Sequence, residues 1–310
     1  MKDLISIGDL TKDEIFDIVQ LAVRLKDERS QGTFSEGLQH KTLGMIFEKP
    51  STRTRTAFEV ATVELGGYPV YLNWNDLQLG RGETIADTAR VLSKYLSGIV
   101  LRATSHSTII EMADYASVPV INALSDLEHP CQLLADLMTI YEKRGSFSGL
   151  KLAWIGDGNN VCNSAILACA LLGIRIDVAC PPGYEPNADI VQRGQQLSAV
   201  RVIRDPLEAA SAADILYTDT WISMGDEAAS AQRLRAFSKY RIDGKVLEIA
   251  KDDAIVLHCL PAHRGQEITD EVMDGPHSAV FVQAENRLHA QKALLLTLPC
   301  LLYTSDAADE

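Results

Sequence analysis

A serine, two threonines and two arginines occupy five consecutive positions, Ser51-Thr52-Arg53-Thr54-Arg55, between a short apolar run and a helix-period stretch. Free backbone N–H groups at a helix start attract anions, and the hydroxyls and Arg53 add donors, which together make a cradle for phosphate. A plain cap needs one Ser or Thr, so a simple helix start with solvated arginines explains the segment less well. Arg102 ends another apolar run, Val100-Leu101-Arg102, and His129-Pro130-Cys131-Gln132 opens a further helix. His129 and Gln132 lie one turn apart and can face one small ligand. Alone, Arg102 would be a surface arginine and His129 a capping residue. Set at neighbouring strand ends beside the Ser51 segment, they form donors for a polarised carbonyl.

In the second half, Ile155-Gly156-Asp157-Gly158-Asn159-Asn160 reads as strand, glycine turn, helix. A dinucleotide fingerprint would need a third glycine and an acid after the next strand. That strand ends in Cys180-Pro181-Pro182, so no nicotinamide cofactor is expected. The asparagines instead present amides to a polar substrate. Asp219-Thr220-Trp221-Ile222-Ser223-Met224-Gly225 follows a later strand and offers a carboxylate and a hydroxyl, as a cationic amino acid would require. His258-Cys259-Leu260-Pro261 closes another strand. Its His-Cys pair invites a metal or thiol-nucleophile reading, but no further ligand stands at a suitable spacing, and no metal is expected.

These groups need strands to position them. Apolar runs at 43–47, 68–72, 98–101 and 118–121 alternate with helix-period stretches at 12–29, 55–65, 84–96 and 108–116, and a helix at about 130–143 follows. Residues 145–149 read as a linker. Strands at 152–155, 175–179, 200–203, 214–218 and 254–258, with helices at 162–172 and 188–197, repeat the logic, and a last helix covers about 286–296. The alternation demands parallel sheets with right-handed crossovers. The expected fold is α/β: two similar-sized domains, each a mostly parallel sheet flanked by helices, joined by interdomain helices. The expected domains are 1–144, completed by the C-terminal helix at about 286–298, and 150–285. Ligands in such sheets sit beyond the carboxyl ends of strands.

Composition narrows the classes. A hydrophobic share of 46% with 23% charged residues is that of a globular protein. A net charge of −13 argues against nucleic acid, although a local arginine cluster still binds a small anion. No apolar run reaches the roughly 20 residues of a membrane helix, and the N-terminal stretch lacks the pattern of a signal peptide. Six cysteines without a CxxC pair or secreted-type spacing suggest reduced thiols, so a cytoplasmic protein is expected. The stretch 300–310 breaks from the preceding helical pattern, resembles translated adapter sequence, and is expected to be a non-native tail.

Taken together, the motifs resemble the ornithine carbamoyltransferase family, in order and over nearly the whole chain to about Leu296. The resemblance implies a carbamoyl phosphate site made of Ser51, Thr52, Arg53, Thr54, Arg102, His129, Pro130, Cys131, Gln132, Cys259, Leu260 and Arg287. It implies that Gln78 lies on a loop reaching the phosphate site of a neighbouring subunit, within a homotrimer or a multiple of trimers. Asn160, Asp219, Ser223 and Met224 match the family's ornithine contacts. Aspartate-using relatives lack the Asp-Thr-Trp-Ile-Ser-Met-Gly segment, and putrescine-using ones lack its Ser-Met-Gly element. Arginine biosynthesis is the implied setting, although the direction of flux is not legible.

On that basis the expected substrates are carbamoyl phosphate and L-ornithine, with no cofactor, since phosphate is already a competent leaving group. Arg102, His129 and Thr54 would donate to the carbamoyl oxygen, Gln132 would orient the carbamoyl NH2, and Asp219 and Cys259 would lie near the δ-amine. Asn160, Ser223 and Met224 would hold the amino-acid end. The competing readings are a carbamoyltransferase for another amine, a dehydrogenase, and a binding protein without activity.

Overall fold

A computed structural model describes residues 2–222 and 230–298, so Ser223, Met224 and the expected tail lie outside the described residues. The chain divides into two compact units, Met1–Met138 with Asn286–Glu310, and Thr139–Glu285.

In the first unit, α1 (Lys12–Ser30) precedes β1 (Thr42–Phe47), α2 (Thr52–Glu64), β2 (Tyr68–Asn73), α3 (Ile85–Leu92), β3 (Gly98–Arg102), α4 (His106–Tyr115) and β4 (Val120–Leu124). Thr11 starts α1 with a reciprocal cap to Glu14, and Ile15, Ile18, Val19, Ala22 and Leu25 form its buried face. The four strands are parallel, in the order β2-β1-β3-β4. β3 is buried along its whole length and β1 in all but its first residue, as central strands covered on both faces must be. The edge strand β2 alternates exposed and half-buried positions at its start. After β1 and α2 the chain adds β2 on one side, then crosses to place β3 on the other. The strand order therefore reverses between β1 and β3, where such sheets open a ligand crevice.

α5 (Pro130–Arg144) carries the chain into the second unit. There β5 (Lys151–Ile155), α6 (Asn160–Leu172), β6 (Arg175–Ala179), α7 (Ala188–Leu197) and β7 (Val200–Ile203) are followed by α8 (Pro206–Ala210), β8 (Ile215–Thr218), α9 (Ser230–Phe237), α10 (Gly244–Ile249), β9 (Ile255–His258) and α11 (Asp270–Met273). This sheet is also parallel, in the order β7-β6-β5-β8-β9, and it reverses between β5 and β8. Its core includes Ile155, Leu216, Trp221, Phe237 and Val256. α12 (Val280–Thr297) leads back into the first unit.

Several boundaries differ from the sequence expectation, and the larger shifts are these. β4 runs 120–124 rather than 118–121, because polar Asn122 is buried inside it and its amide donates to Ile5 O. α12 begins at 280 rather than 286, because the Val280-Phe281-Val282 opening has strand-like residue types. α2 begins at Thr52 instead of residue 55, and α3 ends at Leu92 instead of residue 96.

Candidate active site

In the first unit, three strand-end segments carry the expected anion-binding residues. Ser51 takes the N-cap position of α2 with extended backbone, yet its side chain makes no capping hydrogen bond. Its hydroxyl is thus not consumed by the helix. Thr52 and Arg53 are exposed, while Thr54 is fully buried and accepts a hydrogen bond from Arg287 Nη2 at 2.5 Å. Thr54 still has its own O–H to give. Arg102, the last residue of β3, is buried, and its Nε has no hydrogen-bond partner.

Burial, with Arg287 and Arg53 nearby, lowers the Arg102 pKa to about 10. The guanidinium stays charged at neutral pH, and it stands among like charges that only an anion would relieve. Burial, reinforced by Arg287 and Arg102, also holds the His129 imidazole well below its ordinary range. His129 is therefore neutral at pH 7, a donor that carries no charge of its own. Gln132 is buried, gives its amide N–H to Asp136 at 2.8 Å, and leaves Oε1 without a partner. An acceptor oxygen so placed suits an incoming NH2 group.

Other expected members stand differently. The Cys131 thiol turns into the core toward Asn122 O at 3.3 Å, and burial pushes its pKa up to about 12. Only its backbone is on offer to a ligand. Pro130 is the buried first residue of α5. Gln78 is exposed on a short 3-10 turn, and among the described residues no hydrogen bond joins its side chain to the arginines.

In the second unit, Asp219 follows β8 and is buried. Its Oδ1 accepts the Cys259 thiol at 2.9 Å and the Thr220 N–H at 2.7 Å, while Oδ2 accepts the Asn159 amide at 2.7 Å. Three donors thus converge on this one carboxylate. Cys259 and Leu260, also expected at the carbamoyl phosphate, lie in this unit, just after β9. The turn after β5 is shaped by close approach: Gly156 has φ +143°, and a Cβ on Gly158 would stand 2.1 Å from Pro186 N. The chain at Pro186 covers this glycine.

Two family profiles account for nearly all of the sequence. The carbamoyl-P binding domain of aspartate/ornithine carbamoyltransferase matches residues 2–142, and the Asp/Orn binding domain matches residues 148–298. The chain belongs to the aspartate/ornithine carbamoyltransferase family. It is 58% identical over 299 residues to an ornithine carbamoyltransferase of Archaeoglobus fulgidus, covering 96% of this chain and 97% of that one. A Methanosarcina acetivorans protein of the same name is 56% identical over 298 residues, covering 96% and 99%. The solved structure of ornithine carbamoyltransferase from Pyrococcus furiosus superposes with a TM-score of 0.92 at 49% identity, covering 95% of this chain and 96% of that one.

Within this carbamoyltransferase, several polar partners were not singled out from sequence. Asn159, rather than Asn160, donates to Asp219, and it also caps α6 through Val161 N and Cys162 N. Asn160 sits half-buried beside it and accepts from Val161 N. Arg233, from α9, pairs with Asp157 and donates to Trp221 O, so one guanidinium ties the β5 turn to the segment after β8. Its plane lies against Tyr184 and Phe237. Asp219 also supplies the third donor that sequence did not place beside His258 and Cys259, all within 4.8 Å of one another. Both His258 nitrogens are already engaged, Nδ1 by Leu260 N–H and Nε2 by Glu267, so a metal would have to break one of those bonds. Among the described residues no helix is long and apolar enough to cross a membrane.

Proposed function

We propose that this carbamoyltransferase moves the carbamoyl group of carbamoyl phosphate to the δ-amine of L-ornithine, giving L-citrulline and phosphate. The observation that carries the reading is the chemical contrast of its two sites. One gathers Arg102, Arg53 and Arg287 around a neutral His129, and the other presents buried Asp219 with Cys259. The first suits a doubly charged acyl phosphate, the second a cationic amine.

In this mechanism the start of α2, with Ser51, Thr52, Arg53 and Thr54, holds the phosphate, joined by Arg287 and by Gln78 of a neighbouring subunit. Arg102 and His129 donate to the carbamoyl oxygen as negative charge grows there, each worth about 10²–10³ in rate. Gln132 Oε1 and the backbone around Pro130, Cys131 and Leu260 orient the carbamoyl NH2. Ornithine arrives as an ammonium and loses a proton toward Asp219 and Cys259, which desolvation favours. The neutral nitrogen attacks the carbamoyl carbon, the C–O bond breaks, and phosphate leaves with the electron pair. A second proton then passes from the new C–N nitrogen to the departing phosphate. Asn160, Ser223 and Met224 hold the α-carboxylate and α-amine. Fixing both reactants supplies much of the rate.

The same reading assigns carbamoyl phosphate to residues 1–144 with 286–298 and ornithine to 150–285. It makes the protein a homotrimer or a multiple of trimers, testable by light scattering. It also places the protein in the cytoplasm, in keeping with the five described cysteines, all free thiols. The deciding experiment is citrulline formation from carbamoyl phosphate and ornithine, with putrescine, aspartate and N-acetylornithine in parallel. Selective turnover of ornithine is expected. Preference for another amine would overturn the acceptor, and no turnover by folded protein would overturn the activity.

A further inference from the structure

Asp219 and Cys259 lie on a closed circuit of hydrogen bonds, most of which the mechanism above leaves unused. From Asp219 Oδ1 the path takes the Thr220 N–H at 2.7 Å, then runs from Thr220 Oγ1 to His263 Nδ1 at 2.8 Å. The His263 backbone N–H donates to Glu267 Oε1, which also faces His258 Nε2 at 3.1 Å. His258 Nδ1 accepts the Leu260 N–H at 2.9 Å. Leu260 is bonded to Cys259, whose thiol returns to Asp219 Oδ1 at 2.9 Å.

Two members define what the circuit does. The Leu260 amide has a proton to give, so His258 Nδ1 must be unprotonated, and the ring proton sits on Nε2. Glu267 is the acceptor that keeps it there. Both side chains are buried, and Leu260 has φ +59°, a left-handed conformation that residues with a side chain avoid. The residue after Cys259 is thus held in an unfavourable backbone state by a hydrogen bond to one histidine tautomer. Apolar side chains of equal volume would fill this place without burying a carboxylate, but they would hold no amide.

We propose that Glu267 and His258 are a positioning couple for Cys259. Glu267 selects the His258 tautomer, His258 fixes the Leu260 amide, and the fixed peptide sets the Cys259 thiol against Asp219. This rests on the proposed role of Asp219 and Cys259 at the acceptor amine. Neither Glu267 nor His258 touches substrate in this scheme.

The test uses the full chain. Nitrogen-15 NMR of histidine-labelled wild type should show His258 as the Nε2–H tautomer; an Nδ1–H or cationic ring overturns the proposal without any variant. Glu267→Met and His258→Leu should lower kcat/KM for ornithine by about 10- to 100-fold, the scale of one lost buried hydrogen bond. Glu267→Gln, which keeps an acceptor oxygen, should restore most of the activity. Iodoacetamide should label Cys259 severalfold faster in the two disruptive variants than in the wild type. Unchanged kcat/KM and unchanged labelling in folded variants overturn the couple, leaving it a stability feature. Should both variants fail to fold, Thr220→Val, a near-isosteric change, breaks the same circuit at another buried position and should show the same pattern. If wild type does not use ornithine, the functional reading fails, while the tautomer and the labelling still decide the couple.

Discussion

Replacing Asp219 by asparagine keeps the shape of the side chain and removes what the site needs from it. The carboxylate accepts on both oxygens, Oδ1 from Cys259 and Thr220 and Oδ2 from Asn159. An amide accepts on one side only. If its NH2 faces Asn159, two donors confront each other; if it faces the other way, the Thr220 N–H and the Cys259 thiol lose their acceptor. Either orientation strands a buried donor, at about 1–3 kcal/mol, and the negative charge that would meet the ammonium is gone as well. A charge-assisted hydrogen bond adds about 1.5–3 kcal/mol, so together kcat/KM for ornithine should fall by roughly 10² to 10⁴-fold. Carbamoyl phosphate affinity should change far less, because the charge removed is the one assigned to the acceptor amine and not to the phosphate. Citrulline colorimetry across an ornithine titration, paired with calorimetry of carbamoyl phosphate, separates the two. A kcat/KM within threefold of wild type would refute both the electrostatic role of Asp219 and the hydrogen-bond argument.

Arg102→Met should weaken carbamoyl phosphate binding by about 10- to 100-fold in calorimetry. It should leave the ligand-free melting temperature unchanged or higher, because it removes one of three repelling cations; a clear fall would contradict the repulsion. Arg233→Leu removes the ion pair to Asp157 and the donor on the Trp221 carbonyl, loosening the turn after β5 from the segment after β8, so KM for ornithine should rise about tenfold with kcat little changed. An unaltered KM would make Arg233 a scaffold residue. Burial, with Lys26 and Lys292 nearby, depresses the His289 pKa from 6.5 to about 4. A depressed folded pKa means the unfolded chain takes the proton first, so this stability is whole above pH 6.5 and is lost as pH falls toward 4. The contribution is at most about 3 kcal/mol. His289→Gln should therefore lose less melting temperature between pH 7 and pH 4.5 than wild type, and equal losses would refute it.

The strands were legible because parallel sheets bury both faces, and their continuous apolar runs stand out between helix-period stretches. The anion site was legible for a related reason: Ser51 to Arg55 concentrates donors in five adjacent positions, and Arg102 and His129 follow strands directly. Less was visible where meaning depends on distant partners. Glu267 and Arg233 look like solvated charges in sequence, and only folding sets them against His258 and Asp157. The two asparagines after Gly158 are indistinguishable until the helix start gives Asn159 the cap and the contact to Asp219. The helices α8 to α11 span four to eight residues each, too few turns to show a period. Asn122 ended a strand prematurely because a polar residue inside a buried strand is uncommon, and here its amide is satisfied by Ile5 O.

The gathering of Arg53, Arg102 and Arg287 has a consequence for how much of this protein a cell keeps. An empty site built of repelling cations makes the unliganded fold the least secure form of the chain. Occupancy by an anion then adds stability as RT ln(1 + [L]/Kd), about 2.7 kcal/mol at a hundredfold excess over Kd. A protease that attacks transiently opened chains would remove the protein faster when carbamoyl phosphate is scarce, by the factor 1 + [L]/Kd itself. The level of the enzyme would thus track the supply of its own first substrate, with no change in transcription. A pulse-chase in cells starved of carbamoyl phosphate, with Arg102→Met as the strain relieved of repulsion, would measure that dependence directly.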